Sequence, residues 1–290
     1  MFNGALTALV TPFRDGEVDA PALRDLIEWQ IQSGIDGLVP CGSTGESATL
    51  THAEHDNVIK LTIEQTRKRV PVIAGTGSNS TAEAIRLTAA AREMGADGAL
   101  LLSPYYNKPT QDGIFRHYKT IAASVDLPLF VYNIPGRTAS NILPETVARL
   151  AEIKNIVGIK EASASMDQSS DILKMCGDRI TILSGDDALT VPLMALGAKG
   201  VISTCSNIVP REMHELAAAA LAGDFVKARE IHYRLLPLIR GLFVETNPIC
   251  VKQAVAFMGK CANELRMPLV PMTAAPAERL RIAMKELRLI

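Results

Sequence analysis

The sequence predicts a closed (β/α)8 TIM-type barrel over residues 1–224, followed by a small C-terminal α-helical domain over residues 225–290. Three observations lead there. Short apolar, β-branched runs alternate with longer amphipathic stretches up to about residue 203, and near-continuous apolar strands separated by helices mean a parallel sheet covered on its outer face. Eight such units in roughly 200 residues suit a closed barrel better than an open sheet. No Gly-rich dinucleotide fingerprint follows the first run, which argues against the open doubly wound alternative.

The strands are expected at 6–10, 37–39, 71–74, 99–102, 129–132, 156–160, 180–184 and 200–203. Between them the helical pattern occupies 19–32, 51–67, 80–94, 112–123, 144–151, 167–175 and 188–196. Two of these helices open with a capping-box spacing, Thr51 with Glu54 and Ser80 with Glu83, and the second ends at Gly95, a suitable C′ residue. From Pro210 the strand signals stop, and 210–222, 224–240, 248–258 and 275–287 all read as helices. No low-complexity linker separates the two parts.

Composition narrows the function. The 290 residues are 48% hydrophobic and 21% charged, with a net charge of −1. That balance lacks the basic footprint of a nucleic-acid or anionic-membrane binder. Cys41, Cys176, Cys205, Cys250 and Cys261 are scattered, odd in number and without a C-x-x-C pair. They read as buried free thiols of a reducing, cytoplasmic setting. The N-terminal apolar run has no basic segment before it and acidic residues soon after, so it reads as a strand and not a signal peptide.

In a barrel the reacting groups sit just past the C-terminal ends of the strands. Lys160 closes the run Asn155-Ile156-Val157-Gly158-Ile159, where a charged amine is expensive to bury. Desolvation lowers an ammonium pKa and supplies the free amine that attack on a ketone requires. A lysine reaching out of the barrel mouth, or paired with Glu161, is the alternative. Tyr132 ends the neighbouring strand, where a phenol can relay protons or simply be a core aromatic. Arg137 lies in the Pro-Gly turn beyond it and suits bidentate binding of a carboxylate, or is a surface arginine. The turn Gly42-Ser43-Thr44-Gly45-Glu46 offers hydroxyls and close backbone amides for a carboxylate, or merely caps the next helix. It is not a P-loop, since no Gly-Lys-Ser/Thr follows.

Together these residues resemble the 4-hydroxy-tetrahydrodipicolinate synthase (dihydrodipicolinate synthase) family of pyruvate-dependent class I aldolases. The resemblance runs through GALTALVTPF, GSTGESATLTHAEH, VIAGTGSNSTAEAI, SPYYNKPTQDG, YNIPGRT, NIVGIKEAS, LSGDDA and GVIS into LFVETNPICVKQA. It implies a lyase that joins pyruvate to L-aspartate 4-semialdehyde through an imine on Lys160, in diaminopimelate and lysine biosynthesis. Tyr132 is then the proton relay, linked through Ser43 to Tyr106 of a neighbouring subunit. Thr44 holds the pyruvate carboxylate, Arg137 holds that of the aldehyde, and the backbone carbonyls of Gly185 and Ile202 line the pocket. The resemblance also implies a homotetramer built as a dimer of dimers, and no metal or organic cofactor.

One departure stands out, because the family's relay hydroxyl at position 43 is usually threonine. Serine keeps the donor and acceptor but loses the methyl that fixes the rotamer. A second set of matches, Ser47, Ala48, His52, His55, Asn79, Glu83 and Tyr105, corresponds to the family's feedback site for L-lysine. From pattern alone the same residues also read as a capped helix pair with solvated ends. His52 and His55 at i, i+3 lack a third metal ligand and the H-E-x-x-H arrangement. The alternatives are another class I pyruvate aldolase, such as N-acetylneuraminate lyase or a keto-deoxy sugar acid aldolase, and a non-catalytic keto-acid or lysine sensor. Arg137 and the Tyr105-Tyr106 pair favour the dipicolinate branch.

Overall fold

A computed structural model of the chain describes residues 2–290. Eight parallel strands make the barrel: β1 (Gly4–Ala8), β2 (Gly37–Val39), β3 (Ile73–Gly75), β4 (Gly98–Leu102), β5 (Leu129–Asn133), β6 (Ile156–Glu161), β7 (Thr181–Ser184) and β8 (Gly200–Ser203). Pairing is continuous in the order β2-β1-β8-β7-β6-β5-β4-β3. The ring closes between β2 and β3 through a parallel bridge of Leu38 with Val72. There the Leu38 N–H donates to the Pro71 carbonyl at 3.0 Å.

The connecting helices are α1 (Ala20–Gln32), α2 (His52–Thr66), α3 (Thr81–Met94), α4 (Gln111–Ser124), α5 (Pro144–Leu150), α6 (Met166–Cys176), α7 (Thr190–Ala195) and α8 (Pro210–Leu221). The tail adds α9 (Phe225–Gly241), α10 (Ile249–Phe257) and α11 (Ala274–Glu286). Every expected strand and helix is present, with ends shifted by no more than two residues. The sequence reading missed the hairpin of Phe13–Arg14 with Glu17–Val18 and the single helical turn Pro135–Thr138. Among the described residues no helix is long and apolar enough to cross a membrane.

Local chemistry explains the helix starts. Asp19 accepts the Ala22 N–H and opens α1. Thr51 and Glu54 form both halves of the expected capping box on α2. The box expected on α3 is only half made: Ser80 accepts the Glu83 N–H, but the Glu83 carboxylate turns instead to Ser78 and His52. That side chain is committed to another part of the molecule.

Alternation along the strands sorts their side chains into two apolar layers. Leu6, Val39, Ile73, Phe130, Leu183 and Ile202 fill the barrel interior. Phe2 plugs its N-terminal end, edge-on to Phe130 with ring centroids 5.3 Å apart. Leu38, Leu101, Val131, Ile159, Ile182 and Val201 face the helices. The tail shares that outer layer, since Leu235, Leu238, Val251, Val255 and Leu280 belong to the same apolar cluster. Helix α9 packs on α8 and α11, and α10 packs on the turn Cys205–Asn207 that follows β8. The tail therefore reaches the rim of the barrel where the strands end.

Gly158 leaves room for the barrel to close around β6. A Cβ there would press into the Phe130 ring and stand 2.7 Å from the Thr181 carbonyl oxygen. Gly158→Ala should therefore destabilise the protein by roughly 1–3 kcal/mol, the usual cost of forcing atoms into a packed core. A urea unfolding series checks this, and an unchanged midpoint would count against the packing described.

Candidate active site

The bottom of the site is one register line across three strands, in which Tyr132 of β5 pairs with Lys160 of β6 and Lys160 with Leu183 of β7. Lys160 and Tyr132 are each 6% exposed, and the Lys160 Nζ lies 4.3 Å from the centre of the Tyr132 ring. Burial lowers the amine pKa from 10.5 to about 8, opposed by the Asp187 carboxylate and assisted by the Arg137 guanidinium. The same burial raises the Tyr132 phenol to about 12. Glu161 does not pair with this lysine. It accepts the Ser163 N–H at 2.7 Å and an Asn133 N–H at 3.1 Å, on the other face of the strand.

Gly185, just past β7, makes space for the lysine stem. A Cβ at that position would sit 3.1 Å from both Cγ and Cε of Lys160 and 2.6 Å from the Ala162 Cβ. Ile202 on β8 is fully buried in the interior beneath the pocket.

The Gly42–Glu46 turn after β2 forms the next wall. Thr11 donates to the Gly45 carbonyl at 2.7 Å, and Glu46 takes a left-handed φ of 54°. The Thr44 hydroxyl does not cap the following helix, because Thr51 does that. It is buried and faces the pocket, where it accepts an N–H of Asn247 at 2.9 Å. Ser43 is half-buried and lines the same cavity, of about 50 Å³, as Lys160, Tyr132 and Gly185. Arg137 stands at its mouth and donates to the Asn247 carbonyl at 2.9 Å.

Asn247 was not among the residues singled out from the sequence. It comes from the tail, 203 residues away from Thr44. It lies inside the LFVETNPICVKQA motif that carries the resemblance, but no role was attached to it there. Tyr106 behaves differently from the other sequence candidates. It is 86% exposed, has a φ of 72°, and does not line the pocket of its own chain.

The second group of candidates does assemble. Ser47, Ala48, His52, His55, Glu83 and Tyr105 line one cavity of about 500 Å³. Asn79 lies beside it and donates to the Tyr105 carbonyl at 3.2 Å. The Glu83 carboxylate accepts from Ser78 and meets the His52 ring at 2.9 Å, which holds its pKa below the usual range. The His55 ring turns inward to the Gly75 carbonyl at 2.9 Å, and burial lowers its pKa. The two histidines thus point to different partners. Ser43, Arg137 and Asn247 belong to the walls of both cavities.

A closed barrel with a desolvated amine at the end of its sixth strand defines a (β/α)8 lyase of the class I aldolase kind. Comparison with known proteins makes this specific. Residues 1–287 match the sequence model of the dihydrodipicolinate synthetase family, and the chain belongs to that family. The 4-hydroxy-tetrahydrodipicolinate synthase of Syntrophus aciditrophicus is 59% identical over 290 residues, covering 100% of both chains. Chloride-inhibited dihydrodipicolinate synthase from Acinetobacter baumannii, complexed with pyruvate, superimposes with a TM-score of 0.99 at 46% identity over 100% of both chains. The enzyme of Cyanidioschyzon merolae with lysine bound gives 0.97 at 40% identity over 100% of this chain and 99% of that one.

Burying Lys160 costs stability. With a folded pKa near 8 against 10.5 when exposed, the folded chain binds fewer protons than the unfolded one between those values. The penalty is full below about pH 8 and fades as pH rises toward 10.5. Lys160→Met should therefore be more stable than the parent at pH 7, by about 3 kcal/mol. The gap should close as the pH is raised, and denaturant unfolding at several pH values measures it.

Proposed function

We propose that the chain condenses pyruvate with L-aspartate 4-semialdehyde, as a 4-hydroxy-tetrahydrodipicolinate synthase, through an imine on Lys160. The observation that carries this reading is the pairing, in one small pocket, of a buried amine that gives up its proton near pH 8 and a buried phenol that keeps its own. The neutral amine attacks the keto carbon, and loss of water gives the imine. Its nitrogen takes up the electron pair released when a methyl proton leaves, and the resulting enamine carbon attacks the aldehyde. The imine itself is the electron sink, so no metal or organic cofactor is required.

The surrounding side chains position the partners and move protons. Thr44 donates to the pyruvate carboxylate, with the backbone carbonyls of Gly185 and Ile202 alongside. The Tyr132 phenol, at about 12, keeps its proton and relays it through Ser43 to Tyr106 of a neighbouring subunit. Arg137, tethered at the mouth, receives the aldehyde's carboxylate in the bidentate manner that guanidinium favours. The exposure of Tyr106 supports an assembly in which this residue completes a partner's site. A homotetramer built as a dimer of dimers satisfies that requirement. Mass spectrometry after pyruvate and borohydride should show one reduced adduct per chain on Lys160. Its rate of formation should rise with pH and level off above about 8. An adduct on another side chain, or none, sinks the reading.

The larger cavity is read as a feedback site for L-lysine. Glu83, kept ionised by Ser78 and His52, meets the ligand's ammonium, and Asn79 and His55 add polar contacts. Millimolar L-lysine should lower the initial rate and raise the melting temperature of the parent. Glu83→Ala should blunt both responses by at least tenfold in lysine concentration. A parent enzyme indifferent to lysine would remove this part of the proposal.

A further inference from the structure

Asn247 makes three separable contributions at the mouth of the pocket. Its side-chain N–H donates to the Thr44 hydroxyl at 2.9 Å. A hydroxyl has one proton and two acceptor positions, so filling one acceptor position from Asn247 leaves the Thr44 proton free to point at a bound carboxylate. Its main-chain carbonyl accepts from Arg137 at 2.9 Å and so fixes the guanidinium that meets the second substrate. Its third group, Oδ1, is buried and has no hydrogen-bond partner among the described residues. Asn247 is only 8% exposed and lines the Lys160 pocket. A buried acceptor left unpaired is costly, so it calls for a donor brought by the substrate.

The identity of that donor follows from the chemistry of the second substrate, and the argument rests on the reading of function given above. In an α-amino acid the ammonium and the carboxylate share one carbon. Arg137 and Asn247 line the same pocket, so a carboxylate held by Arg137 brings the ammonium to the wall that carries Asn247. The pyruvate side offers no such donor, because its carboxylate and keto oxygen are acceptors only.

We propose that Asn247 determines specificity for the amino group of the incoming aldehyde, Oδ1 accepting from the ammonium while Nδ2 orients Thr44. The tail thereby reads the one feature that distinguishes aspartate semialdehyde from its des-amino counterpart, succinic semialdehyde. A site built to hydrogen-bond a substrate group rejects an analogue that lacks it far more strongly than an apolar pocket would.

The test compares the KM for aspartate semialdehyde with the inhibition constant of succinic semialdehyde, and records the pyruvate KM, for parent, Asn247→Ala and Asn247→Asp. The parent should favour the amino aldehyde at least tenfold. Asn247→Ala should lose that preference to within threefold and also raise the pyruvate KM. Asn247→Asp keeps an acceptor for the ammonium but has no N–H for Thr44. It should retain the preference while the pyruvate KM rises at least tenfold. Preference retained in Asn247→Ala, or lost in Asn247→Asp, overturns the proposal, and the second outcome is decisive even if the alanine variant does not fold. Failure of the parent to condense aspartate semialdehyde at all would instead overturn the functional reading itself.

Discussion

The constraint on which the site depends is desolvation at one point, the end of β6. Lys160 is buried there and forms no ion pair among the described residues; the Asp187 carboxylate favours the ammonium and the Arg137 guanidinium opposes it. Taking water away penalises whichever protonation state is charged. For the amine that state is the protonated one, and for the phenol of Tyr132 it is the deprotonated one. One physical effect thus drives both groups toward neutrality, giving a nucleophile with a lone pair beside a hydroxyl that still carries its proton. Barrel closure makes this possible by surrounding the register line Tyr132, Lys160, Leu183 with apolar neighbours.

A second constraint fixes the wall opposite. Glu46, at the end of the Gly42–Glu46 turn, is wholly buried against Lys252 of α10 and also accepts the Arg266 N–H at 3.1 Å. The Lys252 ammonium and the Arg266 guanidinium both lie over the Phe13 ring, 4.1 and 4.5 Å from its centre. A buried ion pair is weak as a source of net stability, because desolvating two charges offsets most of their attraction. Breaking it by removing one partner is expensive, however, so the pair tolerates a single geometry. That is the quality needed behind Thr44. The tail helices are therefore part of the site: α10 locks the turn from behind and the segment just before it supplies Asn247.

The sequence revealed most of the frame, because the frame follows from local rules. Hydrophobic period distinguished the eight strands from the eleven helices, and the cap at Thr51 and the stop at Gly95 fell where turn chemistry placed them. Lys160, Tyr132, Arg137 and the Ser43-Thr44 turn were legible because a barrel puts strand ends around one axis. The hairpin at residues 13–18 escaped because two-residue strands have no period to detect. Contacts that join distant segments were invisible for a different reason. Thr44 with Asn247 and Glu46 with Lys252 span more than 200 residues, and nothing in an isolated Asn-Pro or Lys-Gln announces a partner that far away. Glu83 shows a local rule being overruled: its spacing from Ser80 suits a capping box, yet Ser78 and His52 compete successfully for the carboxylate.

The shared wall of the two cavities bears on how a ligand in one would affect the other. Ser43, Arg137 and Asn247 face both, and Ser47 of the larger cavity is only four residues from Ser43. Any occupant of the larger cavity therefore abuts the turn that carries Ser43 and Thr44, and no chain of intermediates is needed to link them. An effector can shift the reaction only by the difference in its contacts between two arrangements of the protein. Glu46 and Lys252 hold the rear of the turn in one arrangement, and Asn247 holds the Arg137 guanidinium, which leaves the front of the turn, at Ser43, as the part free to differ. Serine at position 43, without the methyl that would restrict its rotamer, enlarges that freedom at the point where the two cavities meet.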